Sequence, residues 1–459
     1  MEQERTQIAG QWEVWRDRFA RLGKALRAGR RRIALFLAIV GPGLIVSNVD
    51  NDAGGIFVYS QAGAQFGYAV LWSLIPMTIA LYVSLEMCSR MGAITGKGLS
   101  DLIREEFGFR VTFFIMGVVL LVNLSNVCAE FIGVALSMEV FGISRYVSVP
   151  LAALIVWILV LKGSAARVEK IFLTICTVYF AYVISAFKAK PDWLIALLHL
   201  LPPHLLQYVP TVRQVVQAPP ISTSYLLMLA ALVGTTIAPW QHFYLQAAVV
   251  EKRVGPRQYA HTRNDVLVGS ISCMVIVFFI IVCTAATLFA SGHHDIQNAK
   301  EAALALAPLA GRFASALFAI GLLNASLFAA SILPLSTSYV ICEALGFESG
   351  IDRKFREAKI FYSLYTILIV AGAALIFVPG AAYVRIAVLS QVANGFLLPI
   401  VLVFILLLVN RKDLMGDKVN GPGFNWVAWT TTVAMVALAL VLAYTALAHP
   451  EAAGISGSL

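Results

Sequence analysis

Charged residues are scarce in this chain of 459 residues, in which Asp, Glu, Lys and Arg together make up 13%. An average soluble domain carries about 25% charged residues. Hydrophobic residues account for 59% of the chain, and the mean hydropathy is +0.82. A soluble globule of this size cannot hide so much apolar side chain. The composition excludes disorder, a collagen-like repeat and a secreted disulfide scaffold, and it predicts an integral membrane protein.

Cysteine is also sparse, and its placement carries no recognisable site. None of the six cysteines forms a CxxC pair, and all lie in or at the ends of apolar stretches. This placement is typical of small buried hydrophobic residues rather than of disulfides or a metal cluster. Within these stretches no nucleophile–base pair or metal triad has a useful spacing, which argues against a membrane enzyme. We predict no bound cofactor.

Long apolar stretches are abundant, and a stretch of about 17 to 25 residues is the unit of a spanning helix. Eleven spans are predicted, at about 33–62, 68–88, 111–139, 146–161, 170–187, 222–249, 264–290, 313–342, 360–378, 383–409 and 425–447. A membrane β-barrel is excluded, because its strands would be weak alternating segments of about 10 residues. The predicted fold class is therefore an all-α, polytopic membrane protein with the lipid bilayer as its surroundings.

The formal net charge of +9 could suggest a nucleic-acid partner, but in membrane proteins a basic excess marks the cytoplasmic side. If the N-terminus is cytoplasmic, the external side carries only seven of the 34 basic residues, namely Arg145, Lys188, Lys190, Arg213, Lys300, Arg312 and Arg385. We therefore predict a multi-pass protein of the cell inner (plasma) membrane. Its N-terminus is cytoplasmic, residues 448–459 form an external tail, and it has no nucleic-acid partner; protein partners are not predicted.

Residues 1–32 precede the first span and form a basic, amphipathic segment in which Trp12, Trp15 and Phe19 alternate with arginines. Two interpretations stay open for this cytoplasmic tail. It is either a helix that lies on the anionic leaflet or a basic tail that only fixes topology.

The first predicted span contains a run that cannot form a continuous lipid-facing helix. Pro42 lies between two glycines, and Asp50, Asn51 and Asp52 precede a glycine pair. Asn and Asp compete with helical hydrogen bonds, and irregular backbone at membrane depth is tolerated only where it lines an enclosed cavity. We expect a break near Asp50–Gly54, and a kinked structural helix is the alternative.

The sixth span is interrupted in a similar way by Gly234, Thr235, Thr236 and Pro239, because proline removes a helical hydrogen bond and frees carbonyls. Breaks at mid-membrane in spans one and six are what a five-plus-five inverted repeat predicts. The repeats would be 33–187 and 222–409, with 425–447 as an extra span. Carboxylates and unwound carbonyls offer hard oxygen ligands, so these residues predict a cation transporter.

Other polar residues in the spans could complete the site. Glu130 shares a helical face with Asn123 and Asn126, and it is either a cation ligand or a structural acid bonded to a neighbouring helix. In span ten, Gln391 and Asn394 are three residues apart and could bind directly, through water, or only to another helix. Glu86 lies four residues before Arg90, a spacing that favours a local ion pair.

With these motifs the sequence resembles the NRAMP family of divalent-metal transporters over most of its membrane region. The family's GPG and DPGN are matched by residues 41–43 and by Asp52-Ala53-Gly54-Gly55. The resemblance places Asp52 at the metal-binding aspartate, Thr235 at a residue whose carbonyl faces the metal, and Gln391 at a span-ten glutamine. It implies a LeuT-type fold of five-plus-five inverted repeats with an eleventh helix.

The departures from the family pattern are informative. The metal-binding methionine is Ala238 here, the asparagine of DPGN is Gly55, two histidines are Trp240 and Leu245, and an aspartate is Val127. These changes are similar to a bacterial branch of NRAMP-related magnesium transporters. Loss of a soft sulfur in favour of oxygen ligands shifts preference toward Mg²⁺ or Mn²⁺. Loss of the titratable groups predicts transport that is weakly or not proton-coupled.

The predicted function is uptake of Mg²⁺, with Mn²⁺ as a second substrate, by alternating access. The predicted metal-site residues are Asp52, Glu130, Thr235, Asp50, Asn51, Thr236, Gln391 and Asn394. Selectivity would be tuned by Ala238, Gly55 and Trp240. The main alternative is a proton-coupled Mn²⁺/Fe²⁺ importer of the ordinary NRAMP type. An amino-acid carrier of the same fold is disfavoured because two aspartates would repel its carboxylate, and a channel because no filter loop is repeated.

Overall fold

A computed structural model describes residues 42–162, 179–202, 222–296, 301–302, 311–351, 353–378 and 382–448. These residues form helices and connecting turns, and none of them lies in a strand. The predicted cytoplasmic tail at 1–32, Cys176 and residues 449–459 of the predicted external tail lie outside the described residues. The same holds for most of the long connection between the two predicted repeats.

The described residues in the first half of the chain form eight helices. They are α1 (Pro42–Val49), α2 (Ala53–Phe66), α3 (Leu74–Thr95), α4 (Leu99–Phe107), α5 (Phe109–Val140), α6 (Arg145–Lys162), α7 (Phe180–Lys188) and α8 (Trp193–Leu198). A 3₁₀ segment, Gly67–Ser73, joins α2 to α3. Helix α4 is short and amphipathic and lies between two apolar helices.

The second half repeats the pattern of an interrupted pair followed by long apolar helices. They are α9 (Thr223–Thr236), α10 (Pro239–Glu251), α11 (Tyr259–Thr284), α12 (Ala314–Leu345), α13 (Lys359–Ala374), α14 (Tyr383–Val409), α15 (Lys412–Met415) and α16 (Pro422–Ala448). A π-helical turn, Ala285–Phe289, extends α11.

Eight helical stretches within the described residues are long and apolar enough to cross a membrane. One of them, Ala53–Thr95, runs through α2, the 3₁₀ segment and α3. It contains the last part of the first predicted span, 33–62, and all of the second, 68–88. Helix α6 supplies a shorter apolar stretch, Arg145–Leu161. The described residues therefore agree with a polytopic helical protein, and the total of eleven spans stays a prediction.

Local chemistry explains both helix interruptions. Asp52 adopts an extended conformation and caps α2, since its side chain accepts a hydrogen bond from the Gly55 N–H. At the second interruption Ala238 is extended and Pro239 occupies the first position of α10, where its missing N–H costs no helical hydrogen bond. Each interruption therefore ends with a residue suited to start a new helix.

Helix α1 is anchored at its N-terminal end by α11. The Oδ2 atom of Asp265 accepts a hydrogen bond of 2.7 Å from the Gly43 N–H, and Oδ1 accepts one of 3.3 Å from the Leu44 N–H. These are among the N–H groups that a helix leaves without an internal partner. A side chain from 222 residues along the chain thus caps the helix that leads into the first interruption.

Helix α14 lies against the interrupted helices, where it packs on α2, α5 and α9. Helix α5 in turn packs along α12.

On α3, the predicted ion pair is confirmed, because Arg90 Nη2 lies 3.1 Å from Glu86 Oε2. Arg90 also donates to the Lys418 carbonyl at 2.8 Å and stacks on Phe424, which ties α3 to α16 and to the connection before it.

Candidate metal site at the interrupted helices

The N-terminus of α2 brings Asp52 and Glu130 together. Asp52 Oδ1 accepts from the Gly55 N–H at 2.6 Å, and Glu130 Oε2, from α5, accepts from the Ala53 N–H at 3.2 Å. Both carboxyl groups are buried. Free N–H groups and the helix dipole favour negative charge at this end of a helix. The first turn of α2 therefore holds both acids at one place.

Two glycines let three helices meet at this turn. A Cβ on Gly55 would fall 2.5 Å from the Asp50 carbonyl oxygen and 3.1 Å from Thr235 Oγ1. A Cβ on Gly54 would fall 2.1 Å from Gln391 Nε2. Any larger residue would push α9 or α14 away. The close approach of α9 and α14 to these glycines thus places Thr235 and Gln391 beside the interruption that carries the two aspartates.

Several oxygens around the interruption are buried without a hydrogen-bond partner. They are both carboxyl oxygens of Asp50, Asn51 Oδ1, Glu130 Oε1 and Thr235 Oγ1. Within the described residues no Lys or Arg forms an ion pair with Asp50, Asp52 or Glu130. Buried acids and oxygens without partners carry a high desolvation cost, which a bound cation would offset. The arrangement is therefore suited to holding a positive ion.

The residues around the first interruption offer several kinds of oxygen atom as metal ligands. In the described part of the chain, no group of three or more His, Cys, Asp and Glu residues could hold a metal. A metal here would have to combine carboxylates with hydroxyl, amide or carbonyl oxygens. Such oxygens are the ligands that Mg²⁺ and Mn²⁺ accept.

Two predicted ligands make other contacts. Thr236 Oγ1 donates to the Leu232 carbonyl at 2.7 Å and lies 3.3 Å from the Tyr59 hydroxyl, so its side chain faces its own helix and α2. Asn51 directs its Nδ2 toward Cys273 Sγ at 3.8 Å. Its carbonyl accepts a hydrogen bond from the Tyr179 hydroxyl at 2.6 Å. Asn51 therefore joins the interruption to α11.

The two amides of α14 are bonded to each other and to α5. Asn394 Nδ2 donates to Gln391 Oε1 at 2.8 Å, and Asn126 Nδ2 donates to Asn394 Oδ1 at 2.9 Å. All three side chains are buried. Helical spacing predicted that Asn126 shares a face with Glu130, but no sequence pattern indicated its contact with α14. The structure thus brings Gln391 to the interruption and sets Asn394 behind it.

The predicted selectivity residues lie at the start of α10. Ala238 and Trp240 are each only 1% exposed. The Trp240 carbonyl accepts a hydrogen bond of 2.9 Å from the Ser336 hydroxyl of α12. Because position 238 is an alanine rather than a methionine, the interruption between α9 and α10 has no thioether at this position.

Helix α10 also carries a buried histidine, His242, that was not among the predicted site residues. His242 Nδ1 lies 3.2 Å from the Ala238 carbonyl oxygen, and its Nε2 has no hydrogen-bond partner. The available signal was a histidine three residues after the proline of an interrupted span. The loss of the two family histidines at Trp240 and Leu245 therefore leaves one titratable side chain on this helix, and weak or absent proton coupling stays a prediction.

Comparison with known proteins identifies the family. Residues 43–445 match the family model described as natural resistance-associated macrophage protein-like, Nramp. The chain belongs to the Nramp family. This membership makes it a multi-pass membrane transporter of divalent metal ions rather than an enzyme, and it confirms the predicted family.

Solved structures agree with the Nramp fold. A manganese transporter from Eremococcus coleocola, in complex with an aromatic bis-isothiourea substituted compound, has a TM-score of 0.72 at 20% identity. The match covers 88% of this chain and 86% of that one. A nucleobase-cation-symport-1 family transporter in a closed conformation has a TM-score of 0.52 at 14% identity, covering 89% and 93%. These matches confirm the predicted LeuT-type fold.

Proposed function

We propose that this Nramp protein carries Mg²⁺, with Mn²⁺ as a second substrate, into the cell by alternating access. The observation that supports this proposal is the set of unpartnered buried oxygens around Asp50–Asp52, together with Glu130 and without a basic residue in ion-pair contact. Oxygen donors suit hard cations. Asp52 and Glu130 would supply the charge that holds the ion.

Small side chains at the site favour an ion that keeps part of its water shell. Mg²⁺ gives up water reluctantly and usually retains several water molecules when bound to protein. Ala238 and Gly55 stand where the family carries a methionine and an asparagine. The space they leave would admit water molecules, through which Gln391 and Asn394 would also reach the ion. Trp240, in place of a histidine, would form an apolar wall at the start of α10.

The two interruptions also provide a route for alternating access. The ion would bind between a repeat at 33–187 and a repeat at 222–409, with 425–447 outside both. In transporters of this architecture, discontinuous helices from both repeats meet at the binding site, and one repeat rocks against the other. Asp52 lies at the first interruption and Thr235 just before the second, so each repeat would contribute ligands.

Transport would be weakly proton-coupled or uncoupled, because three family positions with titratable side chains are occupied by Val127, Trp240 and Leu245. The test is Mg²⁺ flux in proteoliposomes that contain both a Mg²⁺ indicator and a pH indicator. We expect saturable Mg²⁺ entry without matching acidification of the lumen. Stoichiometric acidification would overturn the proposal on coupling, and absence of Mg²⁺ entry would overturn the proposed substrate.

A proton-coupled Mn²⁺/Fe²⁺ importer is the second candidate, and two observations favour it. His242 retains a buried, titratable ring on α10, and the Cys273 thiol lies beside Asn51, where it would attract a softer metal. Competition of Mg²⁺, Mn²⁺ and Cd²⁺ for uptake distinguishes the two. Mg²⁺ competing at concentrations similar to Mn²⁺ supports the first function, whereas strong preference for Mn²⁺ and Cd²⁺ supports the second.

A further inference from the structure

Three buried amide side chains form a closed hydrogen-bond network behind the candidate metal site. Asn126 and Asn394 pair reciprocally, with distances of 2.9 Å from Asn126 Nδ2 to Asn394 Oδ1 and 3.1 Å from Asn394 Nδ2 to Asn126 Oδ1. Asn394 Nδ2 also donates to Gln391 Oε1 at 2.8 Å. The remaining end of the Gln391 amide, Nε2, lies 3.2 Å from Ser390 Oγ and 3.5 Å from Asn126 Oδ1.

The network fixes which end of the Gln391 amide faces the interruption. With Oε1 bonded to Asn394, the Nε2 group lies against Gly54, at the first turn of α2. An amide NH₂ is a donor and cannot ligate a cation, whereas its carbonyl oxygen can. In this arrangement Gln391 therefore presents the wrong end to a metal ion.

If all three amide groups rotate by a half-turn together, each oxygen and nitrogen exchange places and the polarity of the network is reversed. The positions that the atoms occupy stay the same. The flipped Asn394 would accept from Gln391 and from Asn126, and it would donate back to Asn126. Every hydrogen bond among the three amides would then survive with donor and acceptor exchanged, because each amide carries both functions. Only the bond from Gln391 to the Ser390 hydroxyl would be lost, because that hydroxyl donates to the Ala387 carbonyl at 2.8 Å. A half-turn of Gln391 alone would instead set its NH₂ against the NH₂ of Asn394, which leaves donors unpaired.

We propose that Asn126 is a positioning residue that, through Asn394, lets Gln391 present its carbonyl oxygen to the transported cation. The hydrogen bonds among the three amides match in the two polarities, so the ion selects the polarity in which oxygen faces Gly54. The side-chain hydrogen bonds of Asn126 run to the amides of α14, and it acts through them. This inference rests on the proposed function, since it assigns a role in binding the same metal.

The test compares two buried asparagines on α5. Asn126→Leu removes the network partner with little change in volume. Asn123→Leu is the matched control, because Asn123 is equally buried on the same helix but donates to Thr337 on α12, at 3.0 Å. In Mg²⁺ flux measurements on proteoliposomes, we expect Asn126→Leu to raise KM by about tenfold, the scale of one lost buried hydrogen bond. Its maximal rate and the KM of Asn123→Leu should change by less than about twofold.

A double-mutant cycle with Gln391→Leu separates positioning from a general structural effect. If Asn126 acts through Gln391, then Asn126→Leu will raise KM no further in the Gln391→Leu background. Additive effects, or equal KM values for Asn126→Leu and Asn123→Leu, would overturn the inference. If Gln391→Leu leaves no measurable flux, stabilisation of the purified variants against heat by Mg²⁺ gives the affinities for the same cycle.

Two further measurements keep the outcome clear. If Asn126→Leu does not fold, Asn126→Ser replaces it, and it should also raise KM while leaving the maximal rate nearly unchanged; an unchanged KM would contradict the inference. Wild-type protein and Asp52→Asn are measured alongside. Absent Mg²⁺ flux in the wild type, or unaltered flux in Asp52→Asn, refutes the proposed function. Normal results for both, with no selective effect at Asn126, refute only the role of the network.

Discussion

Asp52 combines two roles at one position, as the N-cap of α2 and as a candidate metal ligand. Its Oδ1 atom accepts from the Gly55 N–H, and its carboxyl group lies beside that of Glu130. Asparagine caps a helix about as well as aspartate does but carries no charge. A comparison of substitutions at this residue can therefore separate capping from metal binding.

We predict that Asp52→Ala abolishes Mg²⁺ transport, and that Asp52→Asn does so as well although it keeps the cap. The alanine variant should be less stable than the asparagine variant by about 1 kcal/mol, the usual value of an N-cap. Radioactive or fluorescent flux assays measure transport, and thermal unfolding in detergent measures stability. Mg²⁺ uptake by Asp52→Asn at the wild-type rate would show that the Asp52 charge is not needed.

Ala238 allows a test of metal preference at a single side chain. It occupies the N-cap position of α10 and is buried. By its resemblance to the family, this position corresponds to a methionine whose thioether favours softer metals. We predict that Ala238→Met shifts uptake toward Mn²⁺ and Cd²⁺ and away from Mg²⁺. The measurement is the ratio of initial rates for the three ions, with Ala238→Leu as a control of similar size without sulfur. Equal selectivity in the two variants would refute the thioether argument.

At this scale the sequence identified the residues with unusual chemistry but not their partners. Asp52 and Glu130 were evident because carboxylates are rare and costly in apolar spans. The reciprocal pair of Asn126 and Asn394 joins residues 268 positions apart, and no local pattern encodes such a contact. His242 was visible as a residue, yet its burial became evident only from the packing of α10.

Among the helices, α1 depends on a contact with α11. Asp265 caps the first turn of α1, and a Cβ on Gly43 would fall 2.9 Å from Asp265 Oδ2. Because α1 leads directly into Asp50–Asp52, its position sets one side of the candidate metal site. The apolar lengths in the sequence predicted long helices, but they did not indicate this cap, which depends on the tertiary arrangement.

We predict that Asp265→Ala lowers the stability of the protein by about 1 kcal/mol and reduces the affinity for Mg²⁺, because both capping bonds are lost. Asp192→Ala is the matched control, since Asp192 caps the short helix α8 through the Ile195 N–H but is exposed. Thermal unfolding and the Mg²⁺ KM are measured for both variants. Equal effects of the two substitutions would mean that α1 needs no anchor on α11.

The helix boundaries show what local sequence can and cannot predict. The described residues lack regular helix at Asp50–Asp52 and at Ile237–Ala238, where capping and proline chemistry act locally. The depth of these interruptions in a bilayer stays a prediction. In contrast, no local pattern indicated that Gly67–Ser73 would continue as 3₁₀ helix between two predicted spans.

For the molecule as a whole, composition predicted the fold class and motif spacing predicted the family. Both follow from constraints that act on the entire chain: a bilayer requires long apolar helices, and a shared midplane site requires paired interruptions. Orientation in the membrane rests on charge alone. It is therefore the whole-molecule property that most needs its own measurement.

Two exposed positions allow that measurement by labelling with a membrane-impermeant maleimide. His293 follows the turn after α11, which is predicted to be external, and Lys412 lies in α15, which is predicted to be cytoplasmic. The five native cysteines that the structure describes are buried, so the unmodified protein should give a low background. We expect His293→Cys to react in intact cells and Lys412→Cys to react only after permeabilisation. The reverse labelling pattern would show that the predicted orientation is inverted. Three spans are predicted between the two positions and must place them on opposite sides of the membrane. Labelling of both positions in intact cells would therefore contradict the predicted number of spans.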